Sequence, residues 1–300
     1  MKLQFTLALL CSSLFINNVY ADNSQDKTCD QALAKGDVTA ALAAANKTFN
    51  WNSRDKSTLI CQGRAYSAQG DLNKALASFS AASNLSKDAF DQTIIALVTG
   101  QAYKAAKKNE AAIESYEKSI TFAQAANNQA FVRINQIAIG DIHFENKQFE
   151  RALLMYVASS KFANNDNERA ESYERIALTY HTLQQNEQAL EYQIKAYLTN
   201  EQAGTLDQFA HSGIELGRYY TLVKNYGNAE NTLNKMINLA KEQGGAYYEA
   251  QGSYMLAKVK VATGDLNAAR GLVNHAKKIA ETTNDKALSE EIDLETHDLF

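Results

Sequence analysis

Small and apolar side chains recur along this chain at helical intervals. Gly63 and Tyr66 fall three apart on one face of a helix, and Ala75, Phe79 and Ala82 fall at i, i+4 and i+7 on one face of another. Between them stands Gly70-Asp71-Leu72. A glycine there accepts the left-handed conformation that closes a helix C-terminus. The spacing therefore predicts a helix–turn–helix hairpin.

The same order returns along the chain. Gly36-Asp37-Val38 with Ala41 and Ala45 repeats the turn and second helix 34 residues upstream. Gly100 and Tyr103 precede Ala112, Tyr116 and Ser119; Gly140 and His143 precede Ala152, Tyr156 and Ser159; Ala177 and Tyr180 precede Ala189, Tyr192 and Ala196. Gly217 and Tyr220 precede Ala229 and Leu233, and Ala257 precedes Gly264-Asp265-Leu266, Ala269, Val273 and Ala276. Polar turn clusters near Asn84, Asn127-Asn128, Asn164 to Asn167, Gly204, Gly244-Gly245 and Asn284 keep a period of about 40 residues independently of that pattern. The repeats fall near 29–50, 51–84, 85–126, 127–164, 165–203, 204–244 and 245–283, with a closing helix over 285–299.

Composition sharpens the helical reading. Proline is absent from all 300 residues, so the commonest helix breaker is missing. Ala, Leu, Gln, Glu and Lys, all good helix formers, are abundant. One hairpin is too small to bury its own apolar face, so such units must stack to share a core.

The first 21 residues break the pattern. Lys2 is followed by a mostly apolar run from Leu3 to Ile16, and Val19-Tyr20-Ala21 offers a small-residue cleavage site. This reads as a secretory signal peptide cut after Ala21, leaving 22–300 as one array in the periplasm or outside the cell. A buried N-terminal helix and a lipoprotein lipidated at Cys11 are the alternatives. The segment lacks the polar face of an array helix, and Leu10 is bulky for the residue before a lipidated cysteine. No later stretch reaches the ~20 continuous apolar residues of a membrane span. The formal charge of -4 is mildly acidic and argues against a general nucleic-acid binder, which normally carries a basic face.

The pattern resembles the tetratricopeptide repeat family: a small residue and Tyr in the first helix, Gly at the turn, then Ala, an aromatic and Ala in the second. It covers about residues 29 to 283 and is fullest in the Gly63 unit. It departs from the family in lacking Trp in the first helices and Pro at the repeat ends, and most of its periods are longer. The resemblance implies an all-α, right-handed α-solenoid of about six to seven hairpins with a C-terminal capping helix. It also implies a concave surface lined by first helices. Residues just after the small and ring positions point into that surface: Arg64, Gln101, Lys104, Asp141, Phe144, Leu178, His181, Arg218 and Lys258. This row is cationic at both ends, with an acid and apolar groups between. On this reading, charge reversal at Arg218 and Lys258 weakens partner capture without unfolding. The family's chaperone-binding members hold a C-terminal carboxylate with a Lys/Asn/Arg set; Ile60 and Arg64 stand where Lys and Asn would be, so that activity is not carried over.

The array places Cys29 and Cys61 on neighbouring first helices, where they pair as a disulfide stapling the N-terminal cap or remain two buried thiols. No constellation points to catalysis. The five histidines show no metal-ligand spacing, Gly244-Gly245 lacks the Lys-Ser/Thr of a phosphate loop, and neither cysteine has a nucleophile signature. The expectation is therefore no enzyme, no metal and no cofactor. The partner expected on the concave face is a protein or peptide, and self-association through the hairpin ends is possible. A peptide- or small-ligand-sensing module signalling in trans is the alternative function.

Overall fold

A computed structural model describes residues 27–47 and 55–300. The proposed signal peptide, Cys11 and Trp51 lie outside the described residues. Every regular element described is helical: α1 (Lys27–Ala34), α2 (Val38–Lys47), α3 (Lys56–Ala68), α4 (Leu72–Leu85), α5 (Ala89–Ala105), α6 (Asn109–Ala125), α7 (Gln129–Glu145), α8 (Phe149–Ser160), α9 (Asp166–Thr182), α10 (Asn186–Ala203), α11 (Leu206–Leu222), α12 (Tyr226–Gln243), α13 (Ala246–Ala262), α14 (Leu266–Thr283) and α15 (Lys286–Thr296). Successive helices pair as hairpins, so the fold is an all-α solenoid. The chain divides into two compact units at Phe131/Val132.

Local chemistry sets the helix limits. Asp71, Asp265 and Asp285 each accept a hydrogen bond from the backbone N–H three residues on, satisfying a donor that the first turn leaves open. Thr205 and Gln208 form a reciprocal capping box at the start of α11. Most first helices end on one left-handed residue. It is Gly36, Gly70 and Gly264 in three hairpins, but Lys107, Lys147, Gln184 and Lys224 in four others. The bond from the Lys108 N–H to the Tyr103 carbonyl, 2.9 Å, closes one such turn.

In the first unit the small residues act by close approach. A Cβ on Gly63 would lie 2.4 Å from the Phe79 ring, and one on Gly100 2.5 Å from the Tyr116 ring. The Phe79 and Tyr116 rings thus pack directly against their own first helices, α3 and α5. Phe90 and Phe131 pack edge to face, 5.7 Å between centroids. At the N-terminal end the core thins to Ala32, Ala41, Ala45, Ala65, Cys29 and Cys61. The two sulfurs stand 1.99 Å apart, at bonding distance.

The second unit repeats the device with Tyr156 on Gly140 and Leu233 on Gly217. Its main core joins Tyr197, Ile214, Leu233, Met236 and Tyr254 to Leu288 and Ile292 of α15, which are buried almost completely. One hairpin departs from the sequence reading. Tyr192 does not take the ring position: Gln193, four residues after Ala189, does. It is buried and donates to the Ser212 carbonyl at 3.0 Å. Tyr192 instead stacks on Tyr180 at 5.6 Å.

Candidate functional site: the first-helix face of each unit

All nine residues of the expected row are partly exposed on first helices. That is the exposure of side chains standing on a surface. In the first unit the Arg64 guanidinium reaches from α3 to Asp30 of α1 at 2.6 Å. Lys56 of α3 pairs with Asp91 of α5. Gln101 and Lys104 stand half-buried on α5.

The second unit carries a denser array. Asp141 of α7 accepts from Arg175 of α9 at 2.6 Å and from the Tyr156 hydroxyl at 2.7 Å. Arg175 also meets Glu171 at 3.3 Å, and Arg133, itself buried, donates to Glu171 at 2.5 Å. Burial alone would depress the Arg175 pKa; Asp141 and Glu171 outweigh it and raise it, so the guanidinium is held charged. Phe144 meets Phe149 edge to face at 5.1 Å. The His181 ring is edge-on to Tyr219 at 5.6 Å, and its Nδ1 lies 2.9 Å from Asn186 Oδ1. Leu178 stands half-buried between these groups in sequence.

The expected cations at the C-terminal end of the row are engaged within the chain. Arg218 meets Glu215 at 3.2 Å and Glu295 of α15 at 3.7 Å. Lys258 pairs with the same Glu295. Burial pulls Glu295 upward, but Arg218 and Lys258 outweigh it and hold its carboxyl below the ordinary range. One helical turn back, Glu291 accepts from the Tyr254 hydroxyl at 2.5 Å and from the Gln251 amide at 2.7 Å. Helix α15 thus lays an acidic face over these first-helix groups.

Sequence reading missed these acids and also Glu174. Burial pushes Glu174 up to about 7; His211 opposes this, while Glu215 and Glu171 reinforce it. Glu174 accepts a hydrogen bond from the Asn200 amide at 3.2 Å. A signal was present for the ion pairs: Asp30/Arg64 and Asp141/Arg175 are opposite charges 34 residues apart, one repeat on. Lys258/Glu295 are 37 apart.

Two surface depressions lie off the row. One is lined by Arg270, Val273, Lys277, Asp293 and Phe300, the other by turn residues Gln69 to Lys74 with Lys108. Among the described residues no group of three or more His, Cys, Asp or Glu is placed to hold a metal ion, and no helix is long and apolar enough to cross a membrane.

Comparison with known proteins agrees with the geometry. A family model described as tetratricopeptide repeat matches residues 99–125 and 170–202. No curated protein matches the sequence. Among solved structures, the apo form of RapI is similar over 90% of this chain and 79% of its own, with TM-score 0.69 and 12% identity. The C-terminal part of a TPR repeat-containing protein from Cytophaga hutchinsonii is similar over 88% and 98%, with TM-score 0.65 and 12% identity. The apo quorum sensor NprR from B. thuringiensis is similar over 92% and 80%, with TM-score 0.60 and 15% identity.

Proposed function

We propose that this tetratricopeptide-repeat protein is an exported scaffold or adaptor that binds a protein or peptide along the first-helix face of its second unit, with no catalytic step of its own. The observation that supports it is the row of half-buried side chains on successive first helices, braced between neighbours by ion pairs such as Asp141–Arg175. Such pairs fix their side chains before a ligand arrives, which lowers the ordering cost of binding.

Within the row, Arg218 and Lys258 hold α15 through Glu295. Reversing their charge disturbs that helix, so they are poor probes of binding. Leu178 is the better probe, as an apolar, half-buried group outside the ion-pair network. The test is a thermal-shift screen of the full chain against short peptides and small metabolites, repeated with Leu178→Glu. Under the proposal, peptides raise the melting temperature of the wild type and lose that effect in a variant whose circular dichroism is unchanged. Peptide shifts that survive Leu178→Glu count against this face.

The second reading, a sensing module that signals in trans, draws on the fold likeness to a protein described as a quorum sensor. Shifts with one narrow ligand class favour it; shifts with a folded protein partner favour the scaffold. Export requires a mature N-terminus at Asp22. An intact-mass measurement on chain released by osmotic shock tests that requirement.

A further inference from the structure

We infer that the α1–α2 hairpin is a redox-latched cap, held on α3 by the Cys29–Cys61 bond rather than by apolar burial.

Helices α1 and α2 have 8 and 10 residues, short of the ~12–15 that an isolated helix needs in water. Their stability must therefore come from docking. Yet among the described residues the docked core is built of Ala32, Ala41, Ala45 and Ala65 around the two sulfurs, with Leu33, Val38 and Leu42 only partly buried. None of the largest fully buried side chains among the described residues belongs to either helix. Four later hairpins lay a large buried side chain, Phe79, Tyr116, Tyr156 or Leu233, across their own first helix; the α1–α2 hairpin has Ala45 in that place, four residues after Ala41, and meets α3 through a pair of sulfurs.

Polar contacts add to the bond, among them Arg64 to Asp30 at 2.6 Å and the Gln62 amide to Asn46 at 3.0 Å. Arg64 and Asp30 are both partly exposed, so their pairing is screened by water and contributes little.

Both sulfurs are buried, Cys29 3% and Cys61 1% exposed. A dithiol reductant therefore attacks only when the hairpin opens. Its thiolate attacks one sulfur to form a mixed disulfide and expels the other as a thiolate. Its second thiol then resolves that intermediate, ending as the reductant's own disulfide. Two electrons and two protons pass to the protein, leaving Cys29 and Cys61 as thiols. The freed hairpin then leaves α3, and Cys61 and Ala65 meet solvent.

The experiment is hydrogen exchange followed by mass spectrometry on the full chain, oxidised and after dithiothreitol, with Cys29→Ala/Cys61→Ala as the second form. Thiol alkylation under denaturing, non-reducing conditions first counts the free cysteines. The expected result is no alkylation of Cys29 or Cys61. On reduction, and in the double variant, amide exchange over 28–47 should rise roughly 100-fold or more, the scale of the loop-entropy term. Exchange over α9–α14 should stay within about threefold. Asp30→Ala with the bond intact should leave 28–47 protected. Free thiols in the purified chain, unchanged exchange over 28–47, or an equal loss over α9–α14 would each overturn the latch.

Discussion

Single residues carry strain that substitution can read. Lys107, Lys147, Gln184 and Lys224 sit at φ of 57° to 62°, where a side chain costs energy and glycine does not. The equivalent turns in other hairpins hold Gly36, Gly70 and Gly264. Lys224→Gly and Lys147→Gly are each expected to raise stability by about 0.5–1 kcal/mol, because the strain relieved exceeds the extra freedom given to the unfolded chain. Urea melts check this. The opposite holds at Gly100, where a Cβ would stand 2.5 Å from the Tyr116 ring. Gly100→Ala should cost about 1–3 kcal/mol despite alanine's better helix propensity, since the ring has no room to retreat. At Glu174, burial first and foremost raises the carboxyl from 4.5 to about 7. The folded chain thus holds a proton that the unfolded chain releases. The contribution is favourable below about pH 4.5, is lost as pH rises to about 7, and stays lost above. Glu174→Gln keeps the neutral form at every pH. It should therefore stabilise relative to wild type at pH 8 and be near neutral at pH 4, by melts at both.

At the scale of elements, the hairpins were legible because their two signals are local: a period of 3.6 and a turn residue. The place of Gln193 was not, because Tyr192 beside it matched the aromatic pattern better, and only the Ser212 carbonyl at 3.0 Å explains a buried amide there. The residues of the row were legible as positions but not as a network. That Arg218 and Lys258 serve α15 depends on Glu295, which follows Lys258 by 37 residues and sits on a helix where the repeat pattern has ended. Helix α15 is where that network meets the core. Leu288 and Ile292 are 2% and 0% exposed, so Ile292→Ala should cost about 2–4 kcal/mol. Glu295→Ala leaves two half-buried cations facing one another and should loosen α15 selectively. Faster amide exchange over 286–296, with α9 and α10 unchanged, is the expected readout.

Within each unit, neighbouring hairpins touch through α2–α3 and α4–α5 in the first and α8–α9, α10–α11 and α12–α13 in the second, so stability is a sum of repeats and their interfaces. Its consequence is a spatial decay that a globular core would not show. In the second unit, the cluster around Leu233, Met236 and Tyr254 reaches α15 on one side and Tyr197 on the other, whereas Ile137, Tyr156 and Ile176 form a separate cluster around α7 to α9. Leu233→Ala removes a fully buried side chain that lies across Gly217 and should cost about 2–5 kcal/mol. In a cooperative globule that loss would raise exchange everywhere in the unit by the same factor. Here it is expected to be largest over α11 to α14, smaller over α9 and α10, and close to none over α7 and α8. A uniform rise over α7 to α15 would mean that the unit melts as one block, and the chain would then need a different account of why its turns and small residues repeat so regularly.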